Sequence, residues 1–477
     1  MNSPSSIVGH QPNAENHQLQ LSDIKVVEPA VLKRAVGAAS LGNAMEWFDF
    51  GIYSYLAVTL GKVFFPDSSS SAQLIATFAA FAVAFIMRPL GGLFFGPLGD
   101  RVGRQKVLAA TIILMAISTF CIGLIPSHAT IGVWSPVLLL VARMVQGFST
   151  GGEYGGAATF IAEYSPDRKR GLMGSWLEFG TLGGFVLAAV IVTGFTLVLT
   201  DEQMLSWGWR IPFFIAGPLG IVGLYLRMRL EDTPAFKHHQ QQNANEPPRR
   251  EFKSMISSAW KAGIICIGLV FALNVSDYII LSYLPSYLSA NLGYNANQSL
   301  VLILIVMLIM MAVQPLMGAL SDRVGRRPII LVGCGGFIIA AAPCFMLIQM
   351  GNMAATFAGI LVLGVLLNCF LGTMPSALPA LFPTSIRYGA LAICYNISTS
   401  LFGGTAPLLT TWLIQTTNNL YMPAFYLMLA AAVCGVTVMY TLESARRPLQ
   451  GSTPTASSSE EAEELLREHG NMATSAR

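Results

Sequence analysis

Two carboxylates, Glu46 and Asp49, stand three residues apart in a stretch that is otherwise apolar or small, so a helix puts both on one face. Arg88, Arg143, Glu153, Glu178 and Asp277 are embedded in apolar sequence in the same way. An ionisable group at membrane depth is costly and normally faces a partner or a cavity. Carboxylates in such surroundings can take up and release a proton near neutral pH. Glu46, Asp49 and Glu153 are therefore the candidates to carry protons. Arg143 is the candidate to couple that proton to a solute or to bind its carboxylate, and Gln146 lies about one turn further on. Asp277, Tyr278 and Asn396 offer polar contacts from the second half of the chain. Trp47, inside the same polar stretch, is the aromatic candidate for a quaternary ammonium. The competing reading makes these groups buried ion pairs that fix packing, such as Glu46 or Asp49 with Arg143. Arg88, beside Pro89-Leu90-Gly91-Gly92, is read as structural.

Other chemistry has no visible carrier. The seven cysteines, Cys121, Cys266, Cys334, Cys344, Cys369, Cys394 and Cys434, show no metal-ligand spacing. There is no nucleophile–base pair and no phosphate-binding loop, so neither an enzyme, a metal nor a cofactor is expected. A net charge of +3 implies no nucleic-acid partner.

The elements that must position these groups follow from composition. The 477 residues are 53% hydrophobic and 11% charged, against about 25% charged in a soluble domain. A membrane helix needs roughly 20 apolar residues. Twelve spans are expected near 34–62, 73–97, 107–126, 134–160, 172–199, 211–229, 262–289, 298–319, 329–349, 354–379, 388–414 and 422–441. The organisation expected is a tail over 1–32, a six-helix half over 33–230, a polar linker over 231–260, a second half over 261–443 and a short tail over 444–477. No cleavable signal peptide is read at the start. Basic residues collect in one set of loops, at Arg101, Arg104, Lys106, Arg168, Lys169, Arg170, Arg249, Arg250, Arg323, Arg326, Arg327 and Arg387, which places those loops and both termini in the cytoplasm.

The chain also repeats. Gly96-x-x-x-Asp100-Arg101-x-Gly103-Arg104 returns as Gly318-x-x-x-Asp322-Arg323-x-Gly325-Arg326, 222 positions later. Pro166-x-x-x-Arg170 returns as Pro383-x-x-x-Arg387, 217 positions later. Duplicated halves are a known build for transporters. The glycines let helix ends approach, the Asp accepts from a neighbouring helix N-terminus, and the arginines pair with it or with anionic lipid. All ten residues are read as a conformational latch. Polar first, fourth and seventh spans imply that these helices line the centre.

These strings resemble the major facilitator superfamily and, within it, the metabolite:proton symporters. The carriers are Gly42-Asn-Ala-Met-Glu46-Trp47-Phe48-Asp49-Phe50, Arg88-Pro-Leu-Gly-Gly-Leu-Phe-Phe-Gly96, Gln146-Gly147 to Glu153-Tyr154, Glu163 to Gly171, and Trp207-Gly-Trp-Arg210-Ile-Pro-Phe-Phe. The osmoprotectant branch matches best, through Ser118 to Pro126, Ala162 to Arg170 and Pro285-Ser-Tyr-Leu-Ser289. The resemblance implies an all-α fold of two pseudo-symmetric six-helix halves in a bacterial inner membrane. It implies uptake of a small zwitterion, proline or glycine betaine, driven by the proton gradient. It also places Glu46, Asp49, Arg143 and Glu153 on the ion and substrate pathway. The alternatives are a carboxylate–proton symporter or a solute receptor. One departure stands out: Glu460 to Glu468 is too short for three heptads, so a monomer is expected rather than a coiled-coil dimer.

Overall fold

The computed structural model describes residues 20–102, 104–228, 249–384 and 386–475. The chain folds into two six-helix halves, because lipid leaves a backbone no partner but its own helix. The first half crosses with Pro29–Tyr55, Ser70–Val102, Arg104–Leu124, the pair Trp134–Ser149 and Glu153–Tyr164, Arg170–Val198 and Arg210–Met228. The second crosses with Arg249–Asp277 continued to Leu292, Ala296–Val324, Arg326–Gln349, Met353–Leu371, Arg387–Ser398 continued to Thr417, and Met422–Met439. Seven of these are long and apolar enough to cross on length and composition alone. Of the others, the first carries Glu46 and Asp49, and the fourth carries Arg143, Glu153 and the glycine break.

The boundaries depart from the sequence reading where local chemistry intervenes. The first span stops at Tyr55, and a separate short helix, Ala57–Phe64, follows the turn at Leu56. The fourth is interrupted at 150–152, where Gly151 and Gly152 lower helix propensity. The seventh already begins at Arg249, inside the stretch expected as linker, and the rest of that linker up to Pro248 lies largely outside the described residues. The seventh and eleventh spans each contain a π-helical turn, Tyr278–Tyr283 and Thr399–Gly403.

Within the first half the second and fourth spans cross backbone to backbone. A Cβ on Gly147 would lie 1.6 Å from the Ala84 carbonyl oxygen, so no other residue fits there. Between the halves, the fifth and eighth spans meet in the same manner. A Cβ on Gly318 would lie 2.6 Å from the Gly171 carbonyl.

After the twelfth span the chain does not leave the bundle. It crosses the arginine-rich face from the second half to the first. Thr455–Ala456 pairs in parallel with Lys25–Val26, and a last helix, Ser459–Ser475, buries Ala462 and Leu465 against Ile24 and Ala456. One arginine from each half holds this strap. Arg170 Nη1 donates to the Arg447 carbonyl at 2.9 Å, and Arg387 Nη2 donates to the Gln450 carbonyl at 2.8 Å. Asp167 accepts the Thr455 N–H at 3.1 Å, and Arg168 pairs with Glu464 at 2.6 Å.

Candidate functional site

The buried charges of the first half form one framework around its centre. Glu46 of the first span pairs with Arg88 of the second at 2.5 Å, and both are 1% exposed. Arg88, not Arg143, thus takes the partner role that the sequence offered to Arg143. The Arg88 guanidinium lies 5.5 Å from the Phe85 ring centre and 5.8 Å from Phe50, and its Nε and Nη1 have no hydrogen-bond partner among the described residues. Arg143 instead donates to Gln146 Oε1 and lies 4.1 Å above the Tyr53 ring. Gln146 Nε2 donates to Thr119 Oγ1 at 2.8 Å, and that hydroxyl donates to Asp49 at 2.8 Å. Asp49 and Arg143 are therefore linked through two neutral side chains. Glu153 accepts from Thr111 at 2.8 Å.

The third span was not expected to contribute. Thr111 and Thr119 supply hydroxyls to two of the acids, and a threonine in an apolar helix carries no sequence signal of that duty. Glu178 of the fifth span, singled out by its apolar surroundings, also joins the framework. It accepts from the Tyr154 hydroxyl and, at 2.7 Å, from Thr181. The Tyr154 ring stacks on Tyr395 of the second half with centres 3.9 Å apart and planes at 11°.

The second half answers with fewer charges. Asp277 and Tyr278 sit where the seventh span widens into its π-helical turn, a feature that often marks functional sites. Tyr278 meets Trp47 edge-on at 5.7 Å, and Trp47 also touches Phe185 at 5.3 Å. Tyr278 and Tyr395 lie within electrostatic reach of Arg88. Trp47 Nε1, Asp277 Oδ1 and the Tyr278 hydroxyl are buried without a hydrogen-bond partner among the described residues. Asn396 is occupied otherwise: its Nδ2 donates to the Gly151 carbonyl at 2.5 Å and to Ala392 at 2.8 Å, which ties the eleventh span to the break in the fourth. Ser400 donates to the Phe85 carbonyl at 2.5 Å across the same seam.

The repeated loop is described in its second copy. Asp322 accepts the N–H of Gly171 at 2.7 Å and of Leu172 at 2.9 Å, so a carboxylate of the second half caps the fifth span of the first. Arg326 lies 3.7 Å from Asp322 and donates to Ser376 and Ser444. Arg323 is exposed. Gly325 turns the chain at φ 111°, a conformation that favours glycine. Glu443, at the end of the bundle, accepts the Arg326 and Arg327 N–H groups. Burial acts to raise its carboxyl, but the N–H donors of Arg326, Ala445 and Arg327 and the Arg326 charge outweigh it and hold it below the usual carboxylate range. Arg387 pairs with Glu163 of the first half at 2.7 Å. In the first copy, Gly103 and the side chains at Gly96, Asp100, Arg101 and Arg104 lie outside the described residues.

Two duplicated halves joined along a charged seam describe a class of molecule, and the sequence narrows it. Residues 35–454 match the family described as sugar (and other) transporter. The chain belongs to that family. It is a transporter of the major facilitator superfamily and not an enzyme. It is similar to the proline/betaine transporter of Escherichia coli K12, at 53% identity over 94% of this chain and 91% of the relative. It is similar also to the glycine betaine/proline/ectoine/pipecolic acid transporter OusA of Dickeya dadantii, at 52% identity over 94% and 91%. The ectoine/proline transporter of Corynebacterium glutamicum shares 42% over 94% and 92%. Among solved structures, the proton:xylose symporter XylE with a bromodeoxyglucose aligns with a TM-score of 0.71 over 92% of this chain and 99% of that one. At 19% identity it speaks for the fold alone.

Proposed function

We propose that this family member carries zwitterionic compatible solutes, proline and glycine betaine, inward across the bacterial inner membrane together with protons. The observation that carries the reading is the Glu46–Arg88 pair, buried beside the seam and within reach of Tyr278 and Tyr395. Relatives at 52–53% identity bear the names of proline and betaine transporters. Binding near the midplane and rocking of one half against the other give alternating access. The arginine-rich face is the cytoplasmic one, with both termini there. The two halves are the stretches 33–230 and 261–443. The protein works as a monomer, and Arg323 and its neighbours meet anionic lipid.

The coupling follows from the pair. Protonating Glu46 cancels its charge and releases the Arg88 guanidinium, which then binds the solute carboxylate. Loss of the proton inside restores the pair and expels the solute. Asp49 and Glu153, each held by a threonine, are further proton carriers, and Arg143 with Gln146 transmits their state to the seam. Asp322 with its repeat partner latches the cytoplasmic side. A dicarboxylate is a poor fit. A second carboxylate asks for a second cation, and among the described residues the buried intramembrane arginines are Arg88, engaged by Glu46, and Arg143, which donates to Gln146.

Uptake of labelled betaine and proline into proteoliposomes tests this. An inward proton gradient drives accumulation, and a protonophore abolishes it. Accumulation that survives the protonophore refutes symport. Competition by citrate in place of betaine refutes the solute class.

A further inference from the structure

Asp277 stands apart from the other buried acids. Glu46, Asp49, Glu153 and Glu178 each accept from a side-chain donor of their own half. Asp277 is 4% exposed, and its Oδ1 accepts from nothing among the described residues. A buried carboxylate oxygen without a donor is expensive unless the group takes up a proton or something brings it a positive charge. The groups around it come from both halves: Tyr278 beside it, Tyr395 of the eleventh span, and Tyr55 and Glu178 of the first and fifth spans. None of them is a cation. Arg88, within electrostatic reach of Tyr278 and Tyr395, is already engaged by Glu46.

Aromatic faces complete the surroundings. Trp47 and Tyr278 meet at 5.7 Å, and Trp47 and Phe185 at 5.3 Å. An N-methylated ammonium has no N–H to donate, so it is recognised by charge and by ring faces rather than by hydrogen bonds. Close by, the unpartnered donors are Arg88 Nε and Nη1, Trp47 Nε1 and the Tyr278 hydroxyl. These suit a carboxylate. The acid and the donors come from different halves and share two neighbours, since Tyr278 and Tyr395 lie within electrostatic reach of both Asp277 and Arg88.

We infer that Asp277 is the subsite for the cationic end of the solute and the residue that selects zwitterions over plain carboxylates. This rests on the transport reading above and adds the polarity of binding: ammonium toward the second half, carboxylate toward Arg88 of the first.

The test uses glycine betaine and 3,3-dimethylbutanoate, its carbon isostere with the same carboxylate and no positive charge. Both are measured as competitors of betaine uptake and as stabilisers of the purified protein against heat. Wild type prefers betaine by at least about tenfold, the order expected for one charged and aromatic contact. In Asp277→Asn the preference falls to within about twofold, and Asp277→Glu restores part of it. A wild type that binds both compounds alike overturns the subsite without recourse to a variant. So does an Asp277→Asn protein that keeps the full preference. Heat stabilisation by betaine alone, with no uptake, removes the transport reading and leaves the subsite standing. Uptake without discrimination does the reverse.

Discussion

The interiors of the two halves are built on different plans. Among the described residues, the first half buries six charges away from the arginine-rich face, and each has a partner: Glu46 with Arg88, Asp49 with Thr119, Glu153 with Thr111, Glu178 with Tyr154, Arg143 with Gln146. Its second and fourth spans are locked by a crossing that admits only glycine at 147. The second half holds one buried acid at that level, Asp277, and two of its spans loosen into π-helical turns that meet where Gly403 faces the Tyr278 ring. A duplicated fold has thus been divided into a stiff charged frame and a yielding, sparsely charged partner. The lesson is that symmetry of backbone does not carry symmetry of chemistry. The intramembrane ion pair lies in the half whose spans cross backbone to backbone, and the two π-helical turns themselves carry no charged residue.

The largest expected effect comes from breaking the frame. Arg88→Leu takes the ion-pair partner from buried Glu46, at a cost of about 3–5 kcal/mol. Thermal unfolding in detergent should show that loss, together with no uptake. The double variant Arg88→Leu/Glu46→Gln should recover much of the stability and none of the coupling. Equal stability of the single and double variants would contradict the pairing.

Next is Asp322→Ala, which removes two charge-assisted hydrogen bonds to the start of the fifth span. About 2–3 kcal/mol of closure on the arginine-rich face should vanish. Cysteines placed on that face should become more reactive, while those on the opposite face become less so. Thr455→Pro is smaller. It deletes the N–H that reaches Asp167, a loss of about 1 kcal/mol, and limited proteolysis should then cut the tail faster.

Glu443 gives the smallest effect and a sign. Its carboxyl is held below the usual range, so its contribution is present above the unfolded carboxylate pKa, about 4.3. That contribution is lost as pH falls through the lower folded value. Glu443→Gln should flatten this acid limb of the stability curve and change nothing at neutral pH beyond a slight offset. The side chain is partly exposed, which keeps the effect modest.

Much of the fold was legible because lipid writes a coarse code. Twelve apolar runs, one polar interruption and a repeat 222 positions apart are long-range patterns that survive local uncertainty. The charged positions were legible for the same reason, since Glu46 or Asp277 stands out against its neighbours. Their pairing was not. Which arginine reaches Glu46 depends on the closeness of the second and fourth spans, which Gly147 sets through the fold. The π-helical turns left no mark, since Tyr278–Tyr283 reads as ordinary apolar helix. The strap was equally silent: Arg446 to Thr455 is a polar tail by composition, and its value lies in the carbonyls it offers to Arg170 and Arg387.

That strap has a topological consequence. Because Lys25 stands opposite Thr455, the segments just before the first span and just after the twelfth are pinned side by side, and the stretch between them is a ring closed by hydrogen bonds. In a ring of two rigid bodies, separation on the pinned face lengthens the path between them, whereas separation on the other face leaves it unchanged. The two ways of opening are therefore unequal by construction. New ends cut into the linker between the halves, with the old ones fused, would keep that inequality and move the loose ends elsewhere.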